Sequence, residues 1–483
     1  MPKHPIPPDP DAATTVAVLS LVSPPLLTAA DARAVDRRWA NLHPDISLME
    51  RAGATAADLA GALANESGGP ALVLAGPGNN GGDALVAARR LMAQGFRVTA
   101  VSRADPARLP PDAARAWAAW HESGGTILAD IPHAQSFSIV IDGLFGVGLQ
   151  RDVTGAEARW MTEVNAMGCP KLALDVPSGL DSDSGCLRGS ALRADHTLTF
   201  LGLKPGLLTA DGPDCAGTLH LDTLGVDSAD LPATPGIALT RLEPRHRLPP
   251  RARNSHKGLF GHVGIIGAAP GMVGAGLIAG RAALQQGAGS VTVGALDERI
   301  VVDPFEPQLM FATPESLVET HPSVLAIGPG LGQSPRAHAL LKAALAAPCP
   351  LVLDADALNL LANDPQLAER VSGRSDLALL TPHPGEAARL LGATVAEIQA
   401  NRVGAAQHLS ARFGAHVALK GAGTVIVHPG GRYAINTSGG PWLAQAGSGD
   451  RLTGMVAALI GQGMDAANAL EAAVWLHGAA AAP

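Results

Sequence analysis

The sequence predicts two parallel-sheet α/β domains in tandem, and three observations carry that expectation. One unit recurs along the chain: a short β-branched or Leu-rich run, a Gly-rich turn, then an Ala/Leu segment with helical spacing. This is the βα pattern of a sheet covered on both faces. The pattern breaks over residues 231–250, where PATPG, LEP and LPP interrupt it and Arg245, Arg247, Arg251 and Arg253 cluster, and it restarts beyond. The length of 483 residues leaves room for two to three domains at roughly 150 residues each.

The elements follow in order. ALVLAG (71–76) is a buried strand, PGNNGGD (77–83) a turn, and ALVAARRLMAQ (84–94) a helix stopped by Gly95 before a second strand, FRVTAVS (96–102). SIVIDGLFG (138–146) and KLALDVPSG (171–179) are further strands, each apolar and ending in an acidic residue beside a turn. Ligands of open α/β sheets gather at the carboxyl ends of strands, so Asp142 and Asp175 stand where chemistry is usually done. The stretch 231–250 reads as an interdomain linker with a solvated basic face. Beyond it come the strand HVGIIG (262–267), the turn APGMVGAG (269–276) and the helix LIAGRAALQQ (277–286). Strands VLAIGPGLG, PLVLDADALN, LALLTPHPGE and HVALKGAGTVIV lead to AGSGD and a long apolar helix, RLTGMVAALIGQG.

Composition limits the function classes. The 35 Lys and Arg against 43 Asp and Glu give a net charge of −8, with no basic surface to hold a nucleic-acid backbone, so small substrates are expected. No apolar run approaches the ~20 residues that cross a bilayer. Residues 15–27 follow Asp9 and Asp11 and are interrupted by Pro24 and Pro25, a poor signal peptide. Cys169, Cys186, Cys215 and Cys349 lack CxxC spacing, which suggests neither zinc nor a disulfide framework, and the cytoplasm is the expected compartment.

Gly76, Gly78 and Gly81 satisfy the dinucleotide-binding spacing, but the second strand ends in Ser102 and Arg103 rather than in an acidic residue that would hold a ribose. Asn79, Asn80 and Asp83 crowd the turn instead. The helix start offers free N–H groups to a phosphate, while the alternative is an Asn-Gly turn with Asp83 as helix N-cap.

LMERAG (48–53), GPGNNGGD (76–83), IDGLFGVGL (141–149), LDVPSGLDSDSG (174–185) and FLGLKPGL (200–207) together resemble the NAD(P)H-hydrate epimerase domain, a Rossmann-like fold. The resemblance implies that Asn79, Asn80, Gly81, Gly82 and Asp83 bind nucleotide phosphates. It further implies that Gly146, Val147, Gly148, Leu149, Gln150, Arg151 and Asp152 form a lid over the nicotinamide-bearing half. Asn80, Asp142 and Ser178 would ligate K+, and hard oxygen donors suit a hard cation. Asp175 matches the catalytic carboxylate; on the residues alone it could equally cap the turn at Pro177 to Gly179. Burial at a strand end can raise a carboxyl's pKa toward the range that proton transfer at a hydrated dihydropyridine requires.

SHKGLFGHVGIIG, GMVGAGLIAGRAALQQGAGSVTV, GPGLG, LDADALNLL, TPHPGEAARLL, LKGAGTVI and GSGD occur in the order of the ribokinase-like NAD(P)H-hydrate dehydratase domain, which the second half resembles. Gly447, Ser448 and Gly449 open the last helix as an anion hole for a transferring phosphoryl group. Asp450 stands there as base or as helix cap. The resemblance implies that Lys420, Gly421, Ala422, Gly423, Thr424 and Gly449 lie along the donor nucleotide. Ala275, Gly332 and His383 would contact the hydrated substrate, His383 being fixed between Pro382 and Pro384. The family's bacterial members use ADP, here expected as co-substrate with Mg2+.

The expected arrangement is a tail over 1–25, an epimerase domain over 26–235, a linker over 236–250 and a dehydratase domain over 251–483. The substrates would be NADH and NADPH hydrates with ADP; no nucleic acid or membrane partner is expected, and a homo-oligomer is. The alternative activity is that of a ribokinase-like small-molecule kinase with an accessory nucleotide-binding domain. Two departures from the family pattern stand out: SGGPWLAQ precedes GSGD, and Arg451 follows it.

Overall fold

A computed structural model describes residues 23–64, 69–133 and 135–481. The tail expected over 1–25 lies, up to residue 22, outside the described residues. Two compact units divide between Thr234 and Pro235.

In the first unit seven strands form one parallel sheet: β1 (Ala71–Ala75), β2 (Val98–Val101), β3 (Ile127–Leu128), β4 (Ile139–Gly143), β5 (Lys171–Leu174), β6 (His196–Phe200) and β7 (Thr218–Asp222). Their order is β3-β2-β1-β4-β5-β6-β7. Alternate side chains serve opposite faces. Ala71, Val73 and Ala75 pack with the helices Ala29–Leu42, Leu48–Leu63, Asn79–Ala93 and Pro111–Glu122. Leu72 and Leu74 face Trp160, Met161 and Val164 of the helix Gly155–Asn165. Strand order reverses between β1 and β4, the crevice where Rossmann-like sheets take ligands.

The second unit carries a ten-stranded sheet: β8 (Gly236–Leu239), β9 (His262–Gly267), β10 (Ser290–Ala295), β11 (Met310–Ala312), β12 (Val324–Ile327), β13 (Leu351–Leu353), β14 (Ala378–Leu380), β15 (His416–Leu419), β16 (Val425–Val427) and β17 (Tyr433–Asn436). The order is β11-β10-β9-β12-β13-β14-β15-β16-β17-β8, and only the pairs made by β16 are antiparallel. HVALKGAGTVIV, expected as one strand, is thus split into β15 and β16 by residues 420–424. Helices Val273–Gln285, Ser448–Gly461 and Ala466–Ala479 pack on the core that this sheet presents.

The linker expected over 236–250 is replaced, over much of its length, by structure of the second unit. Residues 236–239 pair with β17 in parallel register. His246 is buried, its Nε2 2.7 Å from Glu471 Oε2, and Arg245 Nη2 lies 3.1 Å from the same oxygen. His428 Nε2 reaches Glu471 Oε1 at 2.8 Å. Burial would push the Glu471 carboxyl up, but bonds from His246 and His428 and the charge of Arg245 hold it down to about 2.

Candidate active sites

In the first unit, Gly76 lets the chain leave β1 against β4: a Cβ on it would lie 1.7 Å from the Leu144 carbonyl oxygen. The helix begins at Asn79, five residues earlier than expected, with Gly78 as N-cap. Asp83 is therefore not the cap; it sits inside the helix and lines a cavity of about 1070 Å³. Asp36, Asn79, Asn80, Asp175, Lys204 and residues 144–151 line the same cavity. The loop expected as a lid stands at its rim, where Arg33 Nη1 donates to Val147 O (3.4 Å).

Asp175 ends β5 with φ +64°, a conformation that Asp tolerates better than most residues. Its carboxylate does not cap the turn at Pro177 to Gly179. It accepts instead from Lys204 Nζ, from Thr199 Oγ1 (3.3 Å) and from Phe200 N (3.4 Å). Lys204 is buried, and its remaining protons go to Thr199 Oγ1 (3.0 Å) and Phe200 O (2.7 Å), so the ammonium is saturated. Burial pushes Asp83 well above its ordinary value, with Asp175 and Asp36 adding to the push. Asp36 opens onto the cavity, yet the surrounding protein pushes it up to about 6, with Asp175 reinforcing and Lys204 opposing. Asp36, Asp83 and Asp175 thus line the cavity together with Lys204, and Asp45 and Asp112 line it too.

Behind this wall Asp142 is buried. Its Oδ1 accepts from Leu144 N (3.1 Å) and Ser178 Oγ (2.7 Å), and its Oδ2 from Ser178 N (2.8 Å). Burial raises its carboxyl, and these bonds oppose the rise. The Asn80 amide is shielded from solvent and neither its Oδ1 nor its Nδ2 has a partner; Gly146 packs against it. A buried, unpaired amide costs about 1–3 kcal/mol, so an orphaned donor–acceptor pair here suits a site that a ligand completes.

In the second unit the helix Ser448–Gly461 starts from Gly447, φ +84°, which is its N-cap. Asp450 is therefore in the first turn rather than at the cap. Its carboxyl is raised to about 6 by burial first and by Asp354, with Lys420 opposing. Lys420, at the end of β15, lies with Nζ 3.2 Å from the position a Cβ on Gly449 would take. Its ammonium bonds Asp354 Oδ1 at 2.7 Å. Burial disfavours that charge, but Asp354, Glu386 and Asp450 outweigh it and raise the Lys420 pKa. Residues 420–424 turn from β15 to β16; Thr424 Oγ1 donates to Gly421 O (3.3 Å), and buried Arg402 closes the turn from behind through Lys420 O (3.2 Å).

His383 is both exposed and structural: its Nδ1 accepts from Gly385 N (2.9 Å) and Glu386 N (3.3 Å) as cap of the helix Pro384–Leu391. That bonding assigns the proton to Nε2, which lies 3.3 Å from Glu386 Oε1. Burial, then Lys420 and Arg389, lower its pKa, which favours the uncharged ring. Glu386, buried beside it, is pushed up to about 7 by burial against the pull of Lys420. Gly332 N donates to Asp356 Oδ2 (2.8 Å), and Ala275 lies in the first turn of the helix after β9. Among the described residues no group of three or more His, Cys, Asp or Glu is placed to hold a metal ion.

Lys204, Asp36, Asp354, Thr453 and Glu386 were not among the site residues expected from sequence. A signal existed for two of them: Lys204 is a lone charge in the apolar FLGLKPGL, and Asp354 is an acid ending a buried strand, as Asp142 and Asp175 are.

Comparison with known proteins bears on both units. The NAD(P)H-hydrate dehydratase family model matches residues 263–483, and the model of the YjeF-related protein N-terminus matches residues 45–206. The bifunctional NAD(P)H-hydrate repair enzyme of Escherichia coli is 40% identical over 417 residues, 85% of this chain and 80% of its own length. That of Moorella thermoacetica is 36% identical over 502 residues, 94% of this chain and 91% of its own. Among solved structures, the ADP/ATP-dependent NAD(P)H-hydrate dehydratase of Bacillus subtilis, co-crystallised with ATP and Mg2+, is 33% identical with a TM-score of 0.43. It covers 49% of this chain and 84% of its own.

Proposed function

The chain belongs to the bifunctional NAD(P)H-hydrate repair enzymes, epimerase in its first half and dehydratase in its second, and from that premise we propose how its residues divide the work. Asp175 exchanges the proton during interconversion of the R and S hydrates. The observation that carries this is its carboxylate on the cavity wall, ion-paired to a lysine with no other proton to give. Asn79 to Asp83 hold the nucleotide phosphates at the helix start, and Gly146 to Asp152 cover the nicotinamide side.

Asn80, Asp142 and Ser178 would hold K+, and the orphaned Asn80 amide supports the fit. When bound, the cation would supply positive charge to this site.

In the second half, Asp450 takes the proton of the C6 hydroxyl as the phosphoryl group of the donor arrives at Gly447 to Gly449. The hydroxyl oxygen bonds phosphorus and the bond to the donor's leaving phosphate breaks. The phosphorylated C6 oxygen then leaves as phosphate, and loss of a ring proton restores the dihydropyridine. Lys420 to Thr424 and Gly449 bind the donor; Ala275, Gly332 and His383 bind the hydrate. We take the donor to be ADP with Mg2+, which would neutralise phosphate charge during the transfer.

No described helix is long and apolar enough to cross a membrane. We place the chain in the cytoplasm, where buried thiols such as Cys169, Cys215 and Cys349 stay reduced. The homo-oligomer is part of the same reading, and sedimentation of the intact chain measures it. The test of the whole is incubation with mixed NADH-hydrate epimers, with and without ADP, following the absorbance of the reduced nicotinamide. Recovery of both epimers only with ADP is expected; a phosphorylated hydroxymethylpyrimidine or hydroxyethylthiazole product, with no recovery, would favour the small-molecule kinase.

A further inference from the structure

The turn after β13 reads Asp354, Ala355, Asp356, and it is built under strain. Ala355 has φ +47°, unusual for a residue with a side chain. Gly328, φ +133°, backs the turn so closely that a Cβ there would lie 1.8 Å from the Asp354 carbonyl oxygen. Asp354 is 1% exposed, and both carboxylate oxygens are engaged. Oδ1 accepts from Lys420 Nζ (2.7 Å) and Oδ2 from Thr453 Oγ1 (2.7 Å). Thr453 is buried on the helix that carries Asp450, three residues on. Asp356, the other acid of the turn, holds the Gly332 amide (2.8 Å). One three-residue turn therefore ties together the lysine, the helix start and the Gly332 loop.

We propose that Asp354 is a positioning residue for the dehydration: it fixes Lys420 over the start of the Asp450 helix and pins that helix through Thr453. The proposal rests on the roles given above to Asp450 and Lys420. Its physical content is that Asp354 spends the charge of Lys420 on geometry rather than on affinity. Without a carboxylate beside it, the ammonium attracts a polyphosphate more strongly but from several positions, and a reacting group displaced by about 1 Å costs about a hundredfold in rate. Turnover and donor affinity should then move apart, which a general loosening of the fold would not produce.

Asp354→Asn tests this in the intact chain. It keeps the shape and can still accept from Thr453, but it removes the charge. Turnover with ADP is expected to fall about a hundredfold, while the Kd for ADP, read by calorimetry, stays unchanged or tightens. The acidic limb of turnover should also move to lower pH. Asp354, Asp356 and Lys420 are the charges that act on Asp450, and the substitution removes the stronger of the two negative ones. Thr453→Val and Thr453→Ser keep the test decisive should Asp354→Asn fail to fold: Val should lower turnover without weakening ADP binding, and Ser should restore it. Wild-type turnover in both Asp354→Asn and Thr453→Val, or turnover and ADP binding lost in parallel, overturns the proposal. If Asp450→Asn itself stays active, the assignment beneath it fails instead.

Discussion

Replacing Asp450 by Asn should destroy dehydration and make the second unit more stable. Asn matches the shape and removes the base, so dehydration should fall by roughly two to four orders of magnitude. The stability gain follows from the Asp450 carboxyl, raised from 3.8 to about 6 by burial and by Asp354. Above pH 6 the folded protein holds a carboxylate that it disfavours relative to the unfolded chain. A rise of about two pKa units corresponds to about 3 kcal/mol, and partial solvent contact reduces this to about 2 kcal/mol. For a unit of this size that is a melting-temperature rise of roughly 4–8 °C. The gap should be complete above pH about 6 and vanish below pH about 4, where Asp450 is protonated folded and unfolded alike. Calorimetric melting of both proteins from pH 4 to 8, beside the ADP-dependent assay, measures both effects. A variant that is less stable at pH 8, or as active as wild type, would show that Asp450 is neither a disfavoured carboxylate nor the base.

Lys204→Met leaves Asp175 uncompensated in a mostly buried setting and should cost about 3–5 kcal/mol by denaturant titration, with epimerisation lost and dehydration of the S epimer retained at temperatures where the variant is folded. Potassium salt, exchanged for choline at constant ionic strength, should raise the melting temperature, by up to about 2.7 kcal/mol of stability at a hundredfold excess over Kd; Asn80→Ala should abolish the response. A second unit expressed from Pro235 should fold and dehydrate the S epimer. One starting at Arg251 lacks β8 and the His246 and Arg245 partners of Glu471, and should unfold at clearly lower denaturant.

What could be read from the sequence was local. The strands ending at Asp142 and Asp175 were legible because an apolar run followed by an acid and a turn is a contiguous pattern, and so was the helix after GSGD. The start of the helix at Asn79 was not: Asn and Gly read as turn formers, yet first-turn residues need little helical propensity, since their N–H groups are unpaired in any helix. Residues 236–250 looked like a linker because their Pro-rich composition is local, while β8 pairs with a strand nearly two hundred residues away. Lys204 and Asp354 were missed for the same reason. Each is half of an ion pair whose partner lies 29 or 66 residues distant, and spacing along a chain does not report such pairs.

The most direct measurement of the account follows R and S hydrate separately, by chromatography, in the intact protein and in its Asp175→Asn and Asp450→Asn variants, all with ADP. The wild type should consume both epimers. Asp175→Asn should consume S at the wild-type rate and R only as fast as it interconverts spontaneously, while Asp450→Asn should consume neither yet still equilibrate the two. Clearance of R at the wild-type rate by Asp175→Asn, or loss of equilibration in Asp450→Asn, would contradict the division of labour between the two sites.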